Sequence, residues 1–346
     1  MRILLTVDPE IPVPPKLYGG IERIVDGLIQ GLRRRGHEVG LLANPESEGA
    51  VDFFVGWQGS RSQRGSDTVR NTLALLGAVN KFRPTVIHSF ARLMYLLPLL
   101  PRRIPKIMSY QRTVGGRQIR VASKLGGRSV EFTGCSEYIA KMGRPWGSRW
   151  TAVPNFVDTD FFRFRPTVAA DAPLVFLSRI ERIKGAHTAI ALARASGRRL
   201  ILAGNRVNHG EGESYWKTEI EPFLNRDGVE YIGPVNDGQK NELLGAAAAM
   251  IVPIEWNEPF GIVFAESLAC GTPVISCPLG ALPEIVKHGQ HGFLIRNQDE
   301  GLEAISRLGE IKREDCRQQA EKRFSREVVV GQYEKLYSSM VNGGRA

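Results

Sequence analysis

Short apolar runs rich in β-branched residues alternate along this chain with longer segments in which apolar residues recur every three or four positions. This alternation limits the fold more than any other feature, because it is typical of strands joined by helices into a parallel sheet. The first strands are predicted at Arg2–Val7, Glu38–Ala43, Val51–Val55, Thr85–His88, Lys106–Tyr110, Val130–Gly134 and Trp150–Val153. The first half of the chain is therefore predicted to form a doubly wound α/β domain.

The alternation stops after Asp158 and restarts after Pro173, and the sequence between them is irregular, as expected where few contacts cross a domain boundary. Later strands are predicted at Leu174–Ser178, Arg199–Ala203, Val229–Ile232, Ala249–Pro253 and Pro273–Ser276. We predict an N-terminal domain over 1–158, a linker over 159–172, a second domain over 173–326, and a C-terminal helix over 327–346 that packs back toward the N-terminal domain. Two such domains in tandem are expected to face a central cleft at the carboxyl ends of their strands, where ligands of these folds bind.

Composition and charge exclude several classes of protein. The chain has 346 residues and a formal net charge of +10, which favours an anionic partner. Its first apolar run is too short for a signal peptide, and its longest, Leu243–Ile254, is too short to span a bilayer. The four cysteines lack zinc-site spacing. We therefore expect a cytoplasmic protein with reduced thiols and no metal site.

Glu258 and Glu266 are the first candidate functional residues, with seven residues between them. Pro259 and Gly261 are unfavourable inside a helix but suit its start, so a helix is predicted to begin near Gly261. The N–H groups at a helix start attract anions. The two glutamates would flank an anion site, although two solvated glutamates at the ends of a core helix remain an alternative.

A second candidate element contains Arg179 and Lys184, where a predicted strand leads into a helix. Arginine presents a planar fork of donors and lysine a mobile charge, so the pair could neutralise a diphosphate; a basic surface turn is the alternative. Gly19 and Gly20 follow the first strand and would allow a ligand to approach the backbone. Neither domain opens with G-x-G-x-x-G, which argues against a dinucleotide-dependent dehydrogenase.

Together these motifs resemble those of the retaining GT-B glycosyltransferases of family 4. The resemblance covers nearly the whole chain, through YGGIE (18–22), RRGHEV (34–39), VPNFVD (153–158), SRIERIKG (178–185), EPFGIVFAESLACGTPVI (258–275) and GALPEIVKHGQHGFLI (280–295). It implies two Rossmann-like domains facing a cleft, and transfer of a sugar from a nucleotide-diphosphate sugar to a hydroxyl acceptor. It also implies that no metal or other cofactor is required and that nucleic acid is not a partner.

The resemblance also assigns roles to particular residues. Arg179 and Lys184 would hold the donor diphosphate and stabilise it as a leaving group, Glu266 would bind the two ribose hydroxyls, and Glu258 would face the transferred sugar. Two glycines would approach the phosphates from the N-terminal domain, the start of the predicted helix would line sugar and phosphate, and the segment 233–235 would lie near the base. These remaining donor-binding residues are Gly19, Gly20, Val235, Phe260, Gly261, Ile262 and Val263.

His88 departs from the family pattern. Members commonly carry His-x-His at the end of a strand in the N-terminal domain, whereas this chain reads His88-Ser89-Phe90. Two interpretations stay open, a catalytic histidine that contacts or polarises the donor sugar, and a structural histidine that closes the strand.

Three further alternatives concern function and partners. A sugar-nucleotide epimerase or phosphorylase of similar fold would also bind this donor, and so would a non-catalytic nucleotide-sugar-binding protein. The basic run 33–35, with Lys16, Arg23 and the arginine-rich region 112–128, is interpreted either as solvated surface or as a face for peripheral contact with anionic lipid at the inner side of a membrane.

Overall fold

The computed structural model describes residues 1–16, 19–147 and 149–343. It divides into two compact units: the first joins the chain up to Asn155 with the segment from Arg326 onward, and the second is Phe156–Ser325. The segment 159–172, expected as a linker, lies in the second unit instead. Its backbone finds partners there, since the Arg165 N–H donates to the Cys270 carbonyl at 3.1 Å.

The described part of the first unit contains a seven-stranded sheet in the order β3-β2-β1-β4-β5-β6-β7, with every neighbouring pair parallel. Its strands are β1 (Arg2–Thr6), β2 (Glu38–Ala43), β3 (Phe53–Gly56), β4 (Val86–Ser89), β5 (Lys106–Tyr110), β6 (Val130–Gly134) and β7 (Arg149–Ala152). Its helices are α1 (Gly20–Arg34), α2 (Gly65–Phe82), α3 (Leu93–Leu96), α4 (Gly116–Gly126) and α5 (Glu137–Gly143). Each strand overlaps a predicted one.

The second unit repeats this architecture with six parallel strands among its residues, in the order β10-β9-β8-β11-β12-β13. The strands are β8 (Leu174–Leu177), β9 (Leu200–Ala203), β10 (Val229–Tyr231), β11 (Ala249–Val252), β12 (Val274–Ser276) and β13 (Gly292–Leu294). The helices are α6 (Ala186–Ala195), α7 (Gly210–Tyr215), α8 (Asp237–Ala246), α9 (Ile262–Ala269), α10 (Leu282–Ile285), α11 (Gln298–Ser306) and α12 (Arg313–Gln319). The doubly wound α/β prediction is confirmed for both units.

Burial explains why the strands read as unbroken apolar runs. Ile3, Leu4 and Leu5 have no exposed surface, as expected for a parallel sheet with helices on both faces. The edge strand β13 has no counterpart among the predicted strands. Its first residue must be glycine, since Gly292 has φ +141° and a Cβ there would lie 1.9 Å from the Val274 carbonyl oxygen.

The last helix, α13 (Arg326–Gly343), belongs to the first unit and packs against α1. The two helices approach closely at Gly31, where a Cβ would lie 2.6 Å from the Val330 side chain. Tyr337 of α13 reaches the sheet, where its hydroxyl is 2.7 Å from His88 Nδ1. None of the helices in the described ranges is both long and apolar enough to cross a membrane.

We expect His88 to make the first unit sensitive to acid. Burial lowers the pKa of His88 from 6.5 to about 3, so the unfolded chain binds a proton between these values that the folded chain does not. The free energy of unfolding should therefore fall as pH falls below about 6.5. Urea unfolding at pH 7 and pH 5 should show a smaller loss for His88→Gln than for the unchanged protein, and parallel losses would contradict this account.

Candidate functional site

The strand order of the second unit fixes where a site can form. Neighbours β8 and β11 lie where the order reverses, and their connections leave in opposite directions across the sheet. In doubly wound sheets ligands bind beyond the carboxyl ends of the strands at this point. The segments 178–185, after β8, and 253–261, after β11, meet there.

Lys184 lies in a tight turn that is pressed against the end of β11. The turn Arg182–Lys184 ends at Gly185, whose φ is +77°. A Cβ at Gly185 would lie 2.0 Å from the Pro253 carbonyl oxygen, and the Glu255 N–H donates to the Ile183 carbonyl at 2.8 Å. Glycine is therefore required for the turn to pack this closely, and the packing directs Lys184 toward the segment after β11.

Glu258 accepts a hydrogen bond from Lys184. The Lys184 ammonium donates to Glu258 Oε2 at 2.5 Å, and the Trp256 indole N–H donates to the same oxygen at 3.1 Å. The ammonium also lies 4.5 Å from the centroid of the Trp256 ring, within range of a cation–π contact. Lys184 and Glu258 are both buried, so two charges are held at one point with little access to water.

The backbone of Glu258 is held from both sides. The Ala281 N–H donates to the Glu258 carbonyl at 2.8 Å. On the other side α9 begins at Ile262, as predicted, and Gly261 caps it with φ +80°. A Cβ at Gly261 would lie 2.5 Å from the Phe264 ring. Glu258 therefore lies just ahead of the helix N-terminus, where N–H groups without intrahelical partners attract anions.

Glu266 lies in the second turn of α9 and is buried. Its Oε1 accepts from the Lys240 ammonium at 2.6 Å, and Lys240 also lies 3.1 Å from Asp237 Oδ1. Burial works to lower the pKa of Lys240, but Glu266 and Asp237 outweigh it, so the pKa of Lys240 is raised. The second glutamate of the motif, like the first, is thus paired with a lysine from another segment.

Arg179 follows β8 and remains accessible. Its Nη1 donates to Glu181 Oε1 at 2.7 Å, while 45% of its side chain is exposed. Val235 lies in the loop between β10 and α8 and is half-buried. Phe260 is buried against Phe324, with ring centroids 5.6 Å apart, so its side chain packs inside the unit.

The remaining predicted residues of this unit lie at the start of α9. Gly261 caps the helix, and Ile262 and Val263 are its first two residues.

The other predicted residues belong to the first unit. Gly19 caps α1 and Gly20 begins it; a Cβ at Gly19 would lie 2.6 Å from Pro15, so no side chain fits. Tyr18, which precedes them in the motif, lies outside the described residues.

The geometry of His88 argues against its catalytic interpretation. The side chain has no exposed surface, and its ring nitrogens lie 2.7 Å from the Tyr337 hydroxyl and 2.6 Å from the Ser109 hydroxyl. A ring enclosed in this way offers neither nitrogen to a sugar. We therefore withdraw His88 from the catalytic candidates and assign it a structural role in attaching α13.

Sequence reasoning missed Lys240 and Trp256. Trp256 stands two positions before Glu258, so an aromatic residue beside a candidate carboxylate was a usable signal. Lys240 gave a weaker one, three residues after Asp237 at the start of a helix. Its contact with Glu266, across 26 positions, follows only from the packing of α8 on α9.

We expect Gly280→Ala to disturb Glu258, with Gly289→Ala as the matched control. Both glycines have positive φ, +60° and +76°, so alanine should cost about 1–2 kcal/mol at either position. At Gly280 the Cβ would also lie 2.2 Å from the Glu258 carbonyl oxygen, whereas none of the described atoms lies within 4 Å at Gly289. Urea unfolding should show the larger loss for Gly280→Ala; equal losses would mean that this loop does not support Glu258.

Comparison with known proteins relates this geometry to a family. Residues 18–161 match the family model described as Glycosyltransferase Family 4, and residues 158–323 match the one described as Glycosyl transferases group 1. The glycogen synthase of Mycobacterium tuberculosis (strain CDC 1551 / Oshkosh) is 26% identical over 361 residues, covering 89% of this chain and 85% of that protein.

Solved structures share the fold over nearly the full length. AviGT4, a glycosyltransferase involved in avilamycin A biosynthesis, has a TM-score of 0.74 at 23% identity and covers 99% of this chain and 98% of that one. HepE of Anabaena, solved in complex with UDP-glucose, has a TM-score of 0.73 at 20% identity, with 98% and 100% covered. The two consecutive family matches and the two doubly wound units lead to one conclusion: the chain belongs to the family 4 glycosyltransferases of GT-B fold.

Proposed function

We propose that this chain is a retaining, metal-independent glycosyltransferase that moves a sugar from a nucleotide-diphosphate sugar to a hydroxyl acceptor. The observation that carries the proposal is the Lys184–Glu258 contact at the start of α9, with Glu266 in the second turn of the same helix. A neighbour of the same fold, HepE, was solved with UDP-glucose, which supports a nucleotide sugar as the donor.

The diphosphate would be held by positive charge from three sources. Lys184 supplies an ammonium group, the accessible Arg179 supplies a fork of donors, and the N-terminus of α9 supplies oriented N–H groups. When the bond between sugar and diphosphate breaks, negative charge grows on the departing phosphate. Groups already fixed in place stabilise that charge without having to reorganise. This is the work that a divalent cation performs in other enzymes.

Glu258 and Glu266 would bind opposite ends of the donor. Glu258 precedes the helix and would accept hydroxyl groups of the transferred sugar, while Glu266, one turn into the helix, would accept those of the ribose. The diphosphate would then lie between them, at the helix N-terminus. The order sugar, diphosphate, ribose matches the order of these groups along the chain.

Retention of anomeric configuration is proposed to follow from attack on the same face that the diphosphate leaves, with the departing phosphate taking the acceptor proton. Glu258 and Glu266 are poorly placed to act as a glycosidase pair, because each is bonded to a lysine inside the second unit. We therefore assign both glutamates the role of positioning the donor.

Substitution of the cations tests the proposal. Lys184→Ala and Arg179→Ala should each lower donor turnover by about 10²–10³, more than they weaken donor binding, because the stabilised charge appears in the transition state. Lys312→Ala is the control. Lys312 is exposed and adjoins Arg313. The Arg313 side chain donates to carbonyls that precede β11, so Lys312 lies toward the amino ends of the strands, away from the candidate site. Turnover should persist in EDTA.

Four outcomes would contradict the proposal. Unchanged turnover in both variants would reject the diphosphate assignment, and activity abolished by EDTA and restored by Mg²⁺ or Mn²⁺ would show a missed metal site. Isomerisation of the donor without an acceptor would favour the epimerase. Tight donor binding with no turnover of any acceptor would favour a non-catalytic binding protein.

We further propose that the first unit contacts an anionic lipid surface through one face of α4. Residues 112–128 hold five cationic and no acidic side chains. On α4, Val121 and Leu125 are 45% and 53% exposed, and Arg117 and Lys124 are exposed beside them. Exposed apolar side chains flanked by cations fit a surface of anionic headgroups above acyl chains.

Vesicle sedimentation tests this surface. The protein should bind phosphatidylglycerol vesicles more than phosphatidylcholine vesicles, and the binding should weaken in high salt. Val121→Asp with Leu125→Asp should abolish it. The control is Val69→Asp with Leu73→Asp on α2, where both residues are more exposed, at 61% and 62%. Equal loss in both pairs would reject a specific role for α4.

A further inference from the structure

We propose that Lys240 is a positioning residue that holds the Glu266 carboxylate in the orientation required to bind the ribose diol of the donor. The inference rests on the proposed function, in which Glu266 takes the ribose hydroxyls, and it adds a residue that the sequence motifs do not contain. The observation behind it is a partly buried contact of 2.6 Å between Lys240 Nζ and Glu266 Oε1.

Lys240 is itself fixed in place. It lies in the first turn of α8, where its N–H donates to the Asn236 carbonyl at 2.8 Å. Asn236 and Gln239 form a capping box that fixes the helix start. The ammonium lies between the Glu266 and Asp237 carboxylates and 5.3 Å from the Phe162 ring centroid, and 17% of the side chain is exposed. Held on several sides, this lysine has little freedom to leave Glu266.

A vicinal diol needs an oriented carboxylate. Two hydroxyl groups donate well only to a carboxylate whose plane is set before the ligand arrives, and a free glutamate has three torsions to restrict. Lys240 occupies Oε1 and so fixes the rotation of the group. It also joins the carboxylate to the loop that ends at Asn236, which contains the segment 233–235 assigned to the base.

The alternative is that Lys240 only neutralises a buried carboxylate. In that case its removal would weaken every nucleotide to the same extent, with or without the 2′-hydroxyl. Positioning predicts a selective effect, since only the contact with the diol is lost. The ratio of affinities for a ribonucleotide and its 2′-deoxy counterpart therefore separates the two accounts.

The experiment is titration calorimetry with UDP and 2′-deoxy-UDP, with GDP and ADP and their 2′-deoxy forms run in parallel. The unchanged protein should prefer the ribonucleotide by about 10-fold or more, the size of a lost charge-assisted hydrogen bond. Glu266→Gln and Lys240→Met should each reduce the preference to near unity, and the double variant should reduce it no further. Lys240→Arg should restore part of it, and Lys312→Met should leave it unchanged.

Each outcome decides a separate point. If Glu266→Gln removes the preference but Lys240→Met retains it, the positioning role is wrong and the ribose assignment stands. If the unchanged protein shows no preference for the ribonucleotide with any of the three bases, or if Glu266→Gln leaves the preference unaltered, the ribose assignment fails and the inference fails with it. Thermal unfolding of each variant confirms that folded protein is compared, and Lys240→Gln replaces Lys240→Met if the latter does not fold.

Discussion

The buried contact between Lys184 and Glu258 is the constraint on which the candidate site depends. It joins the turn after β8 to the segment after β11 and spans 74 positions of sequence. Taking two charges out of water is costly, and the contact offsets this only because the geometry is tight and the Trp256 indole donates to the same oxygen. Removing one partner would leave a buried charge uncompensated. The ion pair therefore stabilises the positions of both loops.

Close packing of backbone makes that contact possible. Gly185, Gly261 and Gly280 all take positive φ, and a Cβ at any of them would collide with neighbouring atoms of the same site. Because these glycines lack a side chain, the three segments that contain them can pack closely around Glu258. Their conformations are less accessible to other residues, which is why short glycine-containing motifs mark this region of the sequence so clearly.

The second lysine–glutamate pair extends the same arrangement along α9. This helix is buried on nearly all sides, so Glu266 has few places to find a partner, and Lys240 supplies one. A buried ion pair of this kind contributes little net stability compared with an apolar pair of equal volume. In the proposed function the pair serves ligand binding instead, since a carboxylate held in a fixed orientation can share its lysine partner with a hydroxyl-bearing ligand. The first unit shows a different case, where the enclosed His88 ring links Tyr337 of α13 to Ser109 of β5.

The sequence alone determined the fold class, most strand positions and the start of α9, and it singled out the candidate residues around that helix. These depend on local patterns, such as apolar period, proline and glycine at a helix start, and charge at a strand end, which a chain expresses over a few residues. Tertiary structure decided the partners. The pairs Lys184–Glu258, Lys240–Glu266 and His88–Tyr337 join residues 74, 26 and 249 positions apart, and no local period encodes such distances. The role of His88 changed for this reason, because whether a strand-end histidine is open to a ligand or enclosed depends on a helix that the chain forms only at its other end.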